Sequence, residues 1–288
     1  MAARFFAKRL MRKLALVFAI AAALAGWMYW TAIADPVVRR TALALPGLTQ
    51  PVRVVLMSDI HVGGPDMPPA RLARIVGRIN ALRPDVVLIA GDFITEKRLA
   101  TRLYSMAEAI APLAGLRPRI GTFAVLGNHD YWYDPAGART ALRRAGITLL
   151  DNDAAPAGPL AIGGIDDAFT GRDDVGRTVA ALRRLPGVPI LLSHSPDPFP
   201  RVPADIRLMV AGHTHCGQVR LPLLGALKTM SAYGQRYACG RIDEAGRTLM
   251  VTAGLGTSGI WFRLGAVPDL WLIELRPARA PAPPRRSR

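Results

Sequence analysis

All five histidines of this 288-residue chain, His61, His129, His194, His213 and His215, stand just after short apolar runs, with oxygen-bearing side chains beside most of them. In order, the runs deliver Ser58-Asp59-Ile60-His61, Gly91-Asp92, Gly127-Asn128-His129-Asp130, Ser193-His194-Ser195 and Gly212-His213-Thr214-His215. Imidazole is the commonest metal-binding side chain. Histidines spaced as His213 and His215 meet at one point where a strand has ended and the backbone turns. Asp59, His61, Asp92, Asn128, His129, His194, His213 and His215 offer three oxygen-bearing side chains and four or five imidazoles, about twice the three or four donors that one ion needs, so two divalent ions are expected. Imidazole mixed with carboxylate and amide oxygen suits borderline or hard ions, manganese first, with iron, zinc or magnesium as alternatives. Two such ions about 3.5–4 Å apart form a centre suited to phosphoester hydrolysis.

The elements that must hold these motifs are legible in the apolar pattern. Residues 52–57, 86–90, 122–126, 188–192 and 206–211 read as strands that each end at a motif. Between them, Leu72, Ile75, Val76 and Ile79 recur at helical spacing over 69–82. Further helices are predicted over 99–113, 136–145 and 174–185, and strands over 147–150, 160–164, 218–221, 234–241, 248–253 and 270–275. Continuous apolar runs in the first half predict strands buried on both faces, whereas the consecutive strands near the end favour antiparallel pairing. The carboxyl ends of strands in open α/β sheets converge on one crevice. The fold class expected is therefore α/β, with two mixed β-sheets packed together and flanked by helices.

The first 34 residues stand apart. Arg4, Lys8, Arg9, Arg12 and Lys13 make residues 1–13 a basic segment, and residues 14–34 are uncharged. At a rise of about 1.5 Å per residue that run is long enough to cross a hydrocarbon core of about 30 Å. Trp27, Tyr29 and Trp30 suit the membrane interface at its end. Ala32-Ile33-Ala34 also has the small-x-small pattern of a signal-peptide cleavage site, but the aromatic cluster before it favours an uncleaved anchor. The excess of basic residues before the span places the N-terminus in the cytoplasm and the main domain outside. A single-pass protein of a bacterial inner membrane with a periplasmic domain is the expectation.

Formal net charge is +16, with five positive charges before the span and four in the tail at Arg279, Arg285, Arg286 and Arg288; the rest carries +7. That balance suits an anionic phosphoester substrate or membrane lipids. No motif of a nucleic-acid reader occurs, so no nucleic acid is expected as a partner. Arg71, Arg74 and Arg78 share one helix face, read first as solvated and second as a binder of phosphate or lipid headgroups. Cys216 and Cys239 are expected to be buried free thiols, with one bridge as the alternative. The folded domain is drawn at 46–276, and the Pro- and Arg-rich 277–288 as a disordered tail.

Taken together, Asp59-x-His61, Gly91-Asp92, Gly127-Asn128-His129-Asp130, Ser193-His194 and Gly212-His213-Thr214-His215 resemble the calcineurin-like metallophosphoesterases in order and spacing. Gly217-Gln218-Val219-Arg220-Leu221-Pro222 and Gly254-Leu255-Gly256-Thr257-Ser258-Gly259 resemble the membrane-associated bacterial branch of that family. The resemblance implies that Asp59, His61, Asp92 and His215 hold one ion. It puts Asn128, His194 and His213 on the other, with Asp92 bridging. It makes His129 the group that contacts the phosphoryl oxygen and protonates the leaving alkoxide, with Asp130 holding its ring. At Cys216 relatives often carry glycine. The function implied is hydrolysis of a phosphodiester or pyrophosphate by a hydroxide held between two ions, on an amphiphilic or lipid-linked substrate. Two alternatives stand beside it: a UDP-2,3-diacylglucosamine pyrophosphate hydrolase of lipid A synthesis, and a catalytically silent metal-binding scaffold. Trp261, Phe262 and Leu264 fit either an acyl or base pocket or core packing.

Overall fold

The computed structural model describes residues 2–96 and 100–278. Helix α1, Ala2–Ile33, is followed by β1 Val37–Leu45, β2 Val52–Met57, α2 Pro69–Ala81, β3 Val86–Ala90 and α3 Met106–Ile110. Next come β4 Gly121–Val125, α4 Asn128–Tyr133, α5 Pro135–Arg144, β5 Thr148–Leu149, β6 Asp153–Ala157, β7 Leu160–Ile165, α6 Val175–Leu182, β8 Val188–Ser193 and β9 Leu208–Ala211. The last described elements are β10 Arg220–Leu221, β11 Gly225–Ala226, β12 Gly240–Glu244, β13 Arg247–Val251 and β14 Asp269–Pro277.

Period-two alternation explains the layers. In β2, Val55 and Met57 pack with Leu72, Ile75 and Ile79 of α2, while Val54 and Leu56 turn the other way. There they meet Ile162, Ile190, Leu192 and Val210 of a second sheet. On that sheet's far side Leu191 and Met209 pack with Val175, Val179 and Leu182 of α6. Every central strand is apolar on both faces because each is covered on both. One sheet runs β1-β14-β2-β3-β4-β5 and the other β12-β13-β9-β8-β7-β6, with β10 and β11 a separate hairpin. The expected pair of mixed sheets is present. Antiparallel pairing of the late strands holds for β12 with β13 and β14 with β2, but β13 is parallel to β9 and β14 to β1.

Several boundaries differ from the sequence reading. The domain begins at Val37, not residue 46, because β1 forms an edge strand paired with β14 along its whole length. Pro277 closes β14, so the tail starts later than expected, and its residues 279–288 lie outside those described. The helix read over 99–113 shrinks to α3, which starts at Ser105 in a reciprocal cap with Glu108 and gives way to a 3-10 turn containing Pro112; Leu99 lies outside the described residues. Residues 234–237 form a 3-10 turn rather than a strand, because Tyr237 must reach inward to pack on Phe199.

Helix α1 takes in the basic residues as well as the apolar run, and its last turns are bound to the domain. Ala32 is buried, and the Arg263 amide donates to Met28 O at 3.1 Å. Arg71 is buried rather than solvated: its guanidinium donates to Ala34 O at 2.7 Å and to Asp66 O at 2.8 Å. Arg78 pairs with Asp35. Arg74 and Arg78 both remain exposed, so of the three arginines only Arg71 has left the solvated face. Arg71→Met should therefore destabilise the protein by about 2 kcal/mol, because two carbonyls lose a charged donor. Thermal unfolding should show a fall on the order of 5 °C, with Arg74→Met unchanged. Equal, small effects would return Arg71 to the surface.

Candidate metal centre

The ends of β2, β3, β8 and β9 and the start of α4 bring all seven expected ligands to one buried place. Asp59, His61 and His215 offer atoms within 4.8 Å of one another, and so do Asp92, His194 and His213. Asp92 Oδ2 lies 3.3 Å from His194 Nε2 and 3.5 Å from His61 Nε2, so one carboxylate faces both groups. Asn128 Oδ1 is 3.1 Å from His194 Nε2. Donors this close, with His61 Nε2 and His215 Nε2 3.1 Å apart and His213 Nδ1 and His194 Nε2 3.0 Å apart, fit two cations shared by Asp92.

The backbone is bent to achieve this. Asp59, His61, Asp92, His213 and His215 all have φ between +47° and +68°, a region that costs a non-glycine residue about 1–3 kcal/mol. Left-handed turns immediately after strands let successive side chains swing to a common point. Glycines stand where no side chain fits: a Cβ on Gly127 would lie 2.2 Å from Asp92 Oδ1, and one on Gly212 2.5 Å from Asp59 Oδ2.

Second contacts orient the ligands. His194 Nδ1 donates to Ala90 O at 2.6 Å and His61 Nδ1 to Ile94 O at 3.3 Å, which turns each Nε2 toward the centre, where a metal would take the place of its proton. Asp59 accepts from the Ser58 hydroxyl and from the His213 amide at 2.9 Å. Burial, and then the charge of His194, pushes His213 down to about 3; burial with His61 and Arg263 holds His215 well below the usual range. Both are thus neutral at pH 7, the form that binds metal. Burial pushes Asp59 up to about 6, whereas His194, His129 and His61 outweigh burial at Asp92 and keep it well below the ordinary carboxylate range.

His129 sits at the rim of the same centre, and His61, Asp92 and His129 form a third close set. Its ring is otherwise engaged: Nδ1 is 2.7 Å from Glu96 Oε2 and Nε2 is 3.3 Å from Ser258 Oγ. Asp130 does not hold that ring. Its carboxylate instead accepts the backbone N–H groups of Asp92 at 2.9 Å, Phe93 at 2.8 Å and Gly127 at 2.9 Å. Three residues into α4, it reaches back across the turn, so it clamps two ligand loops together. Burial, then the charge of Asp92, pushes its carboxyl up to about 7, against the pull of those amides. Glu96 and Ser258 had no distinguishing signal in the sequence, although Ser258 lies in the glycine-rich stretch already noted.

The centre opens into a cavity of about 490 Å³ walled by Trp132, Val219, Leu227, Met230 and Ile260. Trp261, Phe262 and Leu264 are not among its lining residues, which removes the pocket reading for them. Cys216 and Cys239 form a disulfide, not free thiols, because the turn after His215 brings Cys216 beside the start of β12. Cys216 has φ +52°, a conformation that glycine would adopt without strain.

A family model described as calcineurin-like phosphoesterase matches residues 52–217. A Danio rerio "transmembrane protein with metallophosphoesterase domain" is 34% identical over 253 residues, 81% of this chain and 55% of that protein. An uncharacterized metallophosphoesterase of Helicobacter pylori is 28% identical over 256 residues, covering 86% and 66%. The uncharacterized metallophosphoesterase YkuE of Bacillus subtilis is 28% identical over 233 residues, covering 78% and 79%. The chain thus spans 55% and 66% of the length of the first two of these relatives.

Two substitutions separate ligand from clamp. Asp92→Asn should keep the fold and lose bound metal, read by elemental analysis, because an amide cannot supply charge to two cations. Asp130→Ala should unfold at markedly lower temperature, since three buried amides lose their acceptor at about 3 kcal/mol or more in total. A stable Asp130→Ala protein impaired only in turnover would make Asp130 a partner of His129 after all.

Proposed function

Because this chain belongs to the calcineurin-like phosphoesterase family, we propose that it is a dinuclear metal-dependent hydrolase of a phosphodiester or pyrophosphate carried by an amphiphilic substrate at a membrane. The observation that carries the reading is Asp92, a buried carboxylate set between two groups of imidazole ligands beside an open cavity. Two divalent ions held there, manganese the first choice, would acidify a water and neutralise charge on the phosphoryl group. His129, with Nδ1–H directed at Glu96, presents Nε2 toward the centre. From there it contacts a phosphoryl oxygen and gives its proton to the leaving alkoxide. Burial pulls the His129 pKa down, but Asp92 and Glu96 outweigh it and hold the ring above its ordinary value, as a proton donor requires. The apolar walls of the cavity favour an amphiphilic substrate over a fully soluble one.

The placement proposed is a single pass through a bacterial inner membrane with the domain in the periplasm. Among the described residues one helix is long and apolar enough to cross, over Phe5–Ile33, and the Danio rerio relative is called a transmembrane protein. The bond from Arg263 to Met28 favours an uncleaved anchor. The disulfide favours an oxidising compartment. It weighs against UDP-2,3-diacylglucosamine, a substrate handled on the cytoplasmic side.

Metal-stripped full-length protein should be inactive on bis(p-nitrophenyl) phosphate and regain turnover with manganese; metal uptake without turnover would favour the silent scaffold. His129→Ala should keep its metal and slow cleavage of an alkyl phosphodiester by about 10²- to 10⁴-fold. An ester with a nitrophenolate leaving group, which needs no proton, should be much less affected. Glu96→Gln should follow the same pattern more weakly. Equal losses on both leaving groups would remove His129 from the proton-donor role.

A further inference from the structure

The short hairpin β10–β11 presents its apolar tip to solvent. Leu223 is fully exposed, Leu224 is 72% exposed and Leu227 64% exposed. Leu223 also has φ +66°, at a turn position where water would select glycine or asparagine. A leucine there is unfavourable both in backbone strain and in exposed apolar area, unless something apolar receives it. Around it the chain from Gln218 to Arg241 contains no acidic residue, and Lys228 and Tyr233 are exposed beside the tip.

The hairpin is tied to the end of the anchor. Gln218 Nε2 donates to Ser258 O and Ile260 O, the Arg220 amide donates to Leu264 O, and the Leu264 amide donates to Gln218 O. The neighbouring Arg263 amide binds Met28 O. Met28 lies five residues before the end of α1, so the loop that touches it sits level with the last turns of the span. Exposed Trp27 and Trp30 mark that level as the interface between lipid and water. No flexible tether intervenes, since Arg71 and Arg78 fasten Ala34 and Asp35 just before β1 begins.

We infer that the Pro222–Leu227 hairpin is a bilayer-seated wedge that, with the end of α1, sets the mouth of the metal-site cavity against the membrane surface. Leu227, Lys228 and Ile260 line that cavity and adjoin the wedge or the anchor-bound loop. The apolar part of a substrate therefore passes from the bilayer along Leu227 and Ile260 while its phosphoester reaches the ligands. Lys228 meets the anionic headgroup layer. The substrate route rests on the phosphoesterase reading above; the seating of the hairpin does not.

The test uses full-length protein in vesicles of phosphatidylglycerol and phosphatidylethanolamine. Both native cysteines are in the disulfide, so Leu224→Cys takes a single nitrobenzoxadiazole label. Its emission should shift to the blue and be quenched by doxyl-labelled lipid, whereas a label at Ala180→Cys on exposed α6 should not. The double variant Leu223→Gln, Leu224→Gln should lower turnover of a vesicle-embedded phosphodiester by about tenfold, with soluble bis(p-nitrophenyl) phosphate nearly unchanged. An unquenched Leu224 label overturns the seating. Equal losses on the two substrates, or none on either, overturn the route. If unsubstituted protein turns over neither substrate, the phosphoesterase reading fails while the quenching still decides the seating.

Discussion

A carboxylate sealed from water must be met by cations or donors, and Asp92 is met on every side. His61 and His194 approach one of its oxygens and the His129 amide binds the other at 2.9 Å. The Asp92 amide is held in turn by Asp130. Burial alone would drive such a group to its neutral form, so the surrounding imidazoles, and the cations they are built to hold, are the condition for its charge. The left-handed turns at Asp59, His61, Asp92, His213 and His215 follow from that condition. They are tolerable because the strands leading into them are gripped on both faces by apolar layers.

Rigidity upstream is what makes the strain useful. Sheet-on-sheet contact through Val54, Leu56, Ile190, Leu192 and Val210 fixes the strands that end at the ligands. Each ligand then needs only one or two local fasteners: Ala90 O for His194, Ile94 O for His61, the Ser58 hydroxyl for Asp59. Preorganised donors of this kind require no rearrangement when charge develops nearby.

Strand ends, ligands and layers were legible because they follow from periodicity and from residue types that do little else. Five histidines at four strand ends, with Asp92 at a fifth, left few other readings. Contacts between residues distant in sequence were not legible. Nothing in Asp130 distinguishes a clamp on three amides from a partner of the adjacent His129, and nothing in Glu96 announces that a turn folds it back onto that ring. Arg71 and Arg74 look alike on a helix, but only one meets the end of α1. β1 was missed because an edge strand with partial exposure has no continuous apolar run.

The Cys216–Cys239 bond closes a ring of chain that begins beside His215 and contains the β10–β11 hairpin and one wall of the cavity. Because the two ends of that ring are fixed to each other covalently, its contents are insulated from the ligands. Closure entropy grows only with the logarithm of loop length, so residues can be inserted, removed or exchanged inside the ring at little cost to the metal centre.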